Sequence, residues 1–355
     1  MEPDRKMASA SAVLRVYWAH MVRYPWWCAL AIVCTVGMQA AELAGPWYLR
    51  RFFNIIATRT PEEAIVNQLL ITVAILGVIW VAQLVATRTQ YRALMYVNVG
   101  VMKDLFGTAF EYLIGHSYTF FISRFAGSLT HRVSKFARAY ETLTDSIIME
   151  FFPTTLFIIG AVAILFSRNH TLGIALATWS LVFIGFQIYV SKLRQPSRVA
   201  VAAADTKVTA SLADAISNHV TITLFSGGTS ERSRFSIVIG KWAEALTHVW
   251  TVDHRIWAGI GALQITLQVG LLYGATIFWS RGLLTIGDFV LIQSYILITF
   301  TRLTSINRTL RRFYDALADA QEFVAILEEP HSVQDVPDAP ALAVAHGAVD
   351  FKDVS

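Results

Sequence analysis

Apolar residues dominate six stretches of this chain, and each stretch is close to the length that crosses a bilayer. About 20 residues of α-helix span a hydrocarbon core of ~30 Å. Tryptophans fall toward the ends of these stretches, where interfacial aromatic residues are typical. The pattern predicts six membrane-spanning helices, at Trp26–Trp47, Val66–Ala86, Ile147–Phe166, Leu172–Val190, Trp257–Trp279 and Ile286–Ile306.

The connections between these spans alternate between short and long. A few residues separate span three from span four and span five from span six, whereas roughly sixty residues lie between spans two and three and between spans four and five. Proline is absent from residues 62–152 and 197–329, so both long connections can continue as helix. A helix from Val66 to about Ser117 would rise roughly 78 Å at about 1.5 Å per residue. We therefore expect two helical hairpins that project far beyond the membrane.

Each hairpin is expected to break at its tip. Glycine and serine interrupt the first at Gly115-His116-Ser117, and Gly127-Ser128 restarts the returning helix. The second break is predicted within Asp205–Asn218, and Gly227-Gly228 adds a further flexible point.

Charge and composition indicate on which side of the membrane the hairpins lie. The chain of 355 residues is 55% hydrophobic and 15% charged, whereas soluble domains carry roughly 25% charged residues. Lys and Arg concentrate before the first span, in both long connections and after the sixth span, and the three short connections carry only Arg50, Arg51, Arg59, Arg168 and Arg281. The positive-inside rule then predicts that both termini and both hairpins are cytoplasmic. No basic run suggests nucleic acid as a partner.

The two ends of the chain differ from the spans. Residues 1–25 are amphipathic and are expected to form a helix in the headgroup plane. After the sixth span the helix continues to Glu328-Glu329-Pro330, and a linker rich in Pro, Asp and Ala follows at 330–346. In residues 347–355 apolar and charged positions alternate, which predicts the first strand of a further domain.

This organisation resembles the membrane domain of ABC exporters, the half-transporters that include lipid flippases and multidrug exporters. The stretch LFGTAFEYLIGHSYTFFISRFAGSLTHRV is similar to the family's first intracellular loop, and VTASLADAISNHVTITLFSGGTSERSRF is similar to the second. The terminal AVDFKDVS resembles the opening strand of the nucleotide-binding domain.

The resemblance implies an all-α membrane fold of six long helices that works as a domain-swapped dimer with a second half-transporter, identical or different. Two short coupling helices would dock on ATP-binding domains, the second on that of the partner. The first would comprise Tyr118, Thr119, Phe120, Phe121, Ile122 and Ser123, and the second Val208, Thr209, Ala210, Ser211, Leu212, Ala213, Asp214, Ala215 and Ile216.

ATP and Mg²⁺ are expected to bind the nucleotide-binding domain, since no G-x-x-x-x-G-K-[ST] occurs in this chain. Hydrolysis would need that domain, which is expected within a few tens of residues of Ser355. The resemblance further implies alternating access for a hydrophobic or amphipathic substrate (lipid, drug or peptide) in the plasma membrane.

Polar side chains within the spans mark a candidate substrate pathway, because ionisable groups in hydrocarbon cost at least ~2.5 kcal/mol and normally face a cavity or a partner. An interhelical hydrogen bond is the alternative role for each. The histidines show no metal-ligand spacing. The candidates are Glu42, Gln83, Gln187, Gln264, Gln268 and Gln293.

An aromatic pair at a cytoplasmic tip, Phe120 and Phe121 beside Arg124, has no membrane to cover it, so we expect contact with another domain. The alternative function is a six-span channel or secondary transporter without an ATPase. Long hairpins argue against a channel, and inverted repeats, which would favour a secondary transporter, are not evident.

Overall fold

The fold is almost entirely helical. The structure, a computed structural model, describes residues 7–60, 62–124, 126–334, 347 and 349–352. Within these residues the elements are α1 (Ala10–Met21), α2 (Pro25–Thr58), α3 (Glu63–Ile114), α4 (Tyr118–Ile122), α5 (Ala126–Asp145), a π-helical segment (Ser146–Phe151), α6 (Phe152–Arg168), α7 (His170–Ser217), α8 (His219–Leu224), α9 (Gly228–Ser280) and α10 (Ile286–Leu327).

Six helices among the described residues are long and apolar enough to cross a membrane, which confirms the predicted spans. They are α2, α3, the continuous helix from α5 to α6, α7, α9 and α10. The second of them has 52 residues, as predicted, although it begins at Glu63 and ends at Ile114. Pro25 occupies the first turn of α2, where its missing N–H costs nothing. The π-helical turn lies just before Pro153, which cannot donate a hydrogen bond to the preceding turn.

The chain forms two compact units. The first consists of residues 1–23, 98–141 and 316–355. Inside it α1 packs through Tyr17, whose ring stacks on Phe136 at 5.4 Å and whose hydroxyl donates to the Phe136 carbonyl at 2.6 Å. Phe136 also contacts Phe323 of α10, at 4.9 Å between ring centroids. Val13, Tyr17 and His20 are thus buried against protein, and the opposite face of α1, with Trp18, is exposed.

The second unit consists of residues 24–97 and 142–315 and contains the spans. A large core of apolar side chains joins α6, α7, α9 and α10, among them Phe157, Leu176, Leu271, Leu291 and Tyr295. The first span joins this core by polar contacts as well. Tyr295 donates to the Leu43 carbonyl at 2.8 Å, and Gly287 donates its N–H to Asn54 at 2.7 Å.

The structure describes only part of the C-terminal segment for which a linker and a strand were predicted. Most of the predicted linker, residues 335–346, lies outside the described residues. Residues 349–352 have no regular secondary structure here. A strand needs neighbouring strands to pair with, and the strand at 347–355 therefore stays a prediction.

Candidate functional site

The first tip is a short helix held between two turns. Helix α4 covers Tyr118–Ile122, and Ser123 caps its end, so its extent agrees with the predicted range. Tyr118 and Ile122, one turn apart, are 79% and 67% exposed, and Phe121 is 40% exposed. These three side chains give α4 an outward apolar face.

Phe120 does not belong to that face, which corrects the expectation of an exposed aromatic pair. Its side chain is buried. On one side it stacks on His116 at 3.9 Å between ring centroids, and the Arg124 guanidinium lies 4.1 Å from its ring centre. Burial lowers the pKa of His116, and the neighbouring His331 and Arg124 lower it further, whereas Glu329 opposes them. Phe120 is therefore a core residue of its own tip.

The second tip differs from the prediction in its boundary. Residues 208–216 are the last turns of the uninterrupted α7, and the break comes at Asn218, the very end of the predicted interval. The separate short helix is α8, His219–Leu224. A turn through Ser226, at φ 50°, and Gly227 then leads into α9. Helix α7 continues because residues 208–216 contain neither Gly nor Pro.

An exposed apolar stripe continues from α7 across this break into α8. Its residues follow one another at intervals of four, so they lie on one helical face before the break and resume the same spacing after it. Phe225, which ends α8, is 81% exposed and extends the stripe. The stripe comprises Leu212, Ile216, Val220, Leu224 and Phe225.

Four of the six predicted pathway residues line two cavities in the spans. Gln268 and Gln293 line a cavity of about 470 Å³, between α9 and α10. Glu42 and Gln83 line a second cavity of about 280 Å³, with α2, α3 and α10 in its wall. Ser294 and Leu297 of α10 line both cavities, so the two cavities share part of their wall on α10. The first cavity is completed by Leu272, Phe289 and Val290, and the second by Ala41, Gly45, Pro46, Leu49, Trp80 and Ile298.

The other two candidates lie elsewhere. Gln187 is buried, accepts a hydrogen bond from Asn307 at 2.6 Å and reaches the Leu303 carbonyl at 3.5 Å. Gln187 therefore holds α7 against α10 through hydrogen bonds, the alternative role expected for such a residue. Gln264 is half-buried and is not among the residues that line either cavity.

Glu42 is paired with a residue that the sequence analysis missed. Arg302 of α10 donates to the Glu42 carboxylate, and its guanidinium lies 5.0 Å from the ring centre of Phe157. An ion pair between two spans neutralises both charges, which lowers the cost of holding either in the membrane. The signal available in the sequence was a single Arg in an apolar run, a few residues before Arg308, Arg311 and Arg312.

A second buried charge cluster sits at the N-terminal end of α10. Asp288 is 1% exposed. It accepts hydrogen bonds from Arg50 at 2.5 Å and from Arg168 at 3.2 Å, and Thr285 donates to it through its N–H and its hydroxyl. Gly287 permits the close approach of α2, since a Cβ there would lie 2.1 Å from the Arg50 carbonyl oxygen. The cluster ties the first, third and sixth spans together.

The residues that the structure describes do not fit an ATP site. A phosphate-binding loop needs free backbone N–H groups at the start of a helix. The one Gly-Lys pair, Gly240-Lys241, lies inside α9, where helical hydrogen bonds occupy those groups. Among the described residues no group of three or more His, Cys, Asp or Glu side chains could hold a metal ion.

Comparison with known proteins agrees with this geometry. The family model described as ABC transporter transmembrane region matches residues 28–303. A solved structure described as a bacterial Atm1-family ABC exporter with ATP bound has a similar fold, with a TM-score of 0.66, 19% identity, and coverage of 90% of this chain and 56% of that chain.

Curated relatives are longer than this chain. The ATM1-type heavy metal exporter of Novosphingobium aromaticivorans is 25% identical over 74% of this chain and 44% of its own length. The ATP-binding cassette sub-family B member 6 of Xenopus tropicalis is 21% identical over 92% of this chain and 39% of its own. The chain thus spans about half the length of these relatives or less. Since the family model covers most of it, the chain belongs to the ABC transporter transmembrane region family, as the transmembrane domain of an ABC exporter.

Proposed function

We propose that this chain is the membrane-spanning part of an ATP-driven exporter that works as a dimer of two half-transporters. ATP and Mg²⁺ would be bound by the ATPase domains, to which the chain is coupled through its two tips. The observation that carries this proposal is the exposed apolar surface at each tip, which needs a protein partner in water. Family membership argues against the alternative of a channel or secondary transporter.

The first docking surface is the outward face of α4, with Tyr118, Phe121 and Ile122. The second is the exposed stripe from Leu212 to Phe225, which begins within the predicted residues 208–216 and continues along α8 to its end. Apolar side chains at four-residue spacing suit a groove that receives a helix. Two such surfaces on one chain can receive two ATPase domains, one of them supplied by the partner half-transporter.

The test compares two neighbouring phenylalanines of α4 in the full-length protein. Phe121→Ala removes an exposed ring whose burial in a docking groove is worth roughly 1.5–3 kcal/mol. We expect it to keep ATP hydrolysis and thermal stability, and to lose substrate transported per ATP hydrolysed. Phe120→Ala is the matched control, and it should lower stability because Phe120 is buried in its own tip. Equal losses of stability in both variants would argue against a docking role.

We further propose an amphipathic or hydrophobic substrate. The two cavities combine amide, hydroxyl and carboxylate groups with apolar walls, which suits a molecule with a polar head and an apolar body. The name of the Novosphingobium relative suggests metal-containing cargo as the alternative. Stimulation of ATP hydrolysis by amphipaths, compared with metal ions and metal–thiol complexes, separates the two classes. A response confined to the metal series would contradict our proposal.

The membrane and the orientation belong to the same proposal. We assign the chain to the plasma membrane. The concentration of Lys and Arg in the two tips and near both termini supports a cytoplasmic position for these parts. Among the relatives are mitochondrial proteins named iron–sulfur clusters transporters, such as the one from Gibberella zeae. Fractionation of the source cells, followed by protease protection of the tips, tests the assignment.

A further inference from the structure

The first tip is joined to the segment that follows α10. The Tyr112 hydroxyl donates to the Glu329 carbonyl at 2.7 Å. In return, His331 Nε2 donates to the Tyr112 carbonyl at 2.9 Å. Ser332 Oγ donates to Ser117 Oγ at 2.7 Å, immediately before α4. In each of these three contacts the two residues are more than 200 positions apart in sequence. The contacts follow one another along residues 112–117 and along residues 329–332.

Glycine at position 115 is what lets the two segments meet. A Cβ on Gly115 would lie 2.9 Å from Cε1 and 3.0 Å from Nε2 of His331, closer than side chains normally approach. The His331 ring is also 4.4 Å from the ring of Tyr112 and 4.5 Å from that of His116, measured between centroids. The contact is therefore a packed joint between complementary surfaces.

A charge pair connects this joint to α4 itself. Arg124 donates from Nη2 to both carboxylate oxygens of Glu329, at 2.8 and 3.1 Å. The same guanidinium lies over the ring of Phe120, which belongs to α4. Arg124 thus contacts the short helix and the end of the last helix at the same time.

We propose that this joint, formed by Tyr112, Gly115, Ser117 and Arg124 with Glu329, His331 and Ser332, makes the first tip and the end of the last helix move as one body. The inference rests on the proposed function and deepens it. A force on α4 then reaches the last helix directly through the joint, and Arg124 is a positioning residue for coupling. The joint stays closed throughout the transport cycle.

The first experiment locks the joint. Ser117→Cys and Ser332→Cys are introduced together into the full-length protein, with Cys28 and Cys34 replaced by Ala. Since the two Oγ atoms are 2.7 Å apart, the cysteines are within reach of a disulfide. We expect equal transport per ATP in the oxidised and the reduced protein. Loss of transport on oxidation, with recovery on reduction, would overturn the proposal because it would show that the joint must open.

The second experiment tests whether the joint carries coupling. Arg124→Glu and Glu329→Arg are each expected to lower the substrate transported per ATP by about fivefold, the factor that ~1 kcal/mol for a half-exposed ion pair gives. The double exchange re-creates the pair and should restore most of the ratio. Failure of the double variant to recover, at unchanged melting temperature, would overturn the proposal, as would single variants with the original ratio. If neither single variant nor the double variant folds, the disulfide experiment decides whether the proposal holds.

Failure of the proposed function and failure of the joint give different results in these experiments. Wild-type protein that does not couple ATP hydrolysis to export contradicts the proposed function. Wild-type protein that exports, combined with a locked variant that does not, contradicts the joint alone. Disulfide yield in the resting protein is a further readout, and it checks the joint's geometry whatever the substrate is.

Discussion

Arg302 of the last helix and Glu42 of the first span form an ion pair inside the membrane-spanning unit. Both side chains are largely buried, at 18% and 21% exposed. The carboxylate side of the pair faces a cavity, and the guanidinium side rests on Phe157. The pair therefore joins two spans and also places a carboxylate in the wall of that cavity.

We predict strong coupling between these two residues. Glu42→Gln and Arg302→Gln should each destabilise the protein, because each leaves the other charge buried without its partner, at a cost of roughly 3–5 kcal/mol. The double variant should be more stable than the sum of the two losses implies, by about 0.5–3 kcal/mol. Thermal unfolding of the four proteins in lipid nanodiscs measures the cycle. Strictly additive losses would show that the pair contributes no coupling.

A loss of similar size is expected at Asp288. Its carboxylate receives two arginines from different spans, so Asp288→Asn leaves Arg50 and Arg168 facing one another without the neutralising charge. We expect a loss of roughly 3–5 kcal/mol in the free energy of unfolding. Asp315→Asn is the matched control, because it is the same substitution in the same helix at an exposed ion pair, where ~0–1 kcal/mol is expected. Equal melting temperatures for the two variants would refute the structural role of the cluster.

The parts of the fold that follow from local chemistry were predictable from the sequence. Six long apolar runs, the long proline-free intervals 62–152 and 197–329, and Gly115 at the first break locate the spans and one tip with small errors. The second tip was placed too early because its break is an Asn, which a helix tolerates, and because the exposed stripe continues through it.

The parts that depend on tertiary contacts were not predictable. Whether Phe120 is exposed depends on His116 and Arg124 stacking on its two sides. Arg302 as the partner of Glu42 and Gln187 as the partner of Asn307 require the packing of helices distant in sequence. A single sequence shows that polar groups lie in spans, but not which ones meet each other and which face a cavity.

The topology can be tested with single cysteines at the two hairpins. We predict that Ser123→Cys in the first and Ser230→Cys in the second, each in a protein without Cys28 and Cys34, resist an impermeant thiol reagent in intact cells and react after permeabilisation. The reason is the Lys and Arg bias toward the hairpin side. A cysteine at Ser280, which ends α9 next to the short connection to α10, serves as the control and should react without permeabilisation. The reverse pattern would invert the orientation.

The last prediction concerns pH and His116. Burial, His331 and Arg124 lower the pKa of His116 from its ordinary value of 6.5, although Glu329 partly opposes them. The folded tip therefore favours the neutral ring, and its stability is complete above about pH 6.5 and falls as the pH drops from there through the lowered pKa. We expect faster amide hydrogen exchange in α4 at pH 5.5 than at pH 7.5, after correction for the intrinsic rate.

His116→Phe keeps an aromatic ring against Phe120 but cannot take up a proton, so it should abolish this pH dependence. His131→Phe is the matched control on α5, where the side chain is exposed, and it should leave the dependence unchanged. Loss of the dependence in both variants would mean that the acid effect acts elsewhere in the unit. An unaltered dependence in His116→Phe would exclude this ring as its origin, and the stacking with Phe120 would then be purely structural.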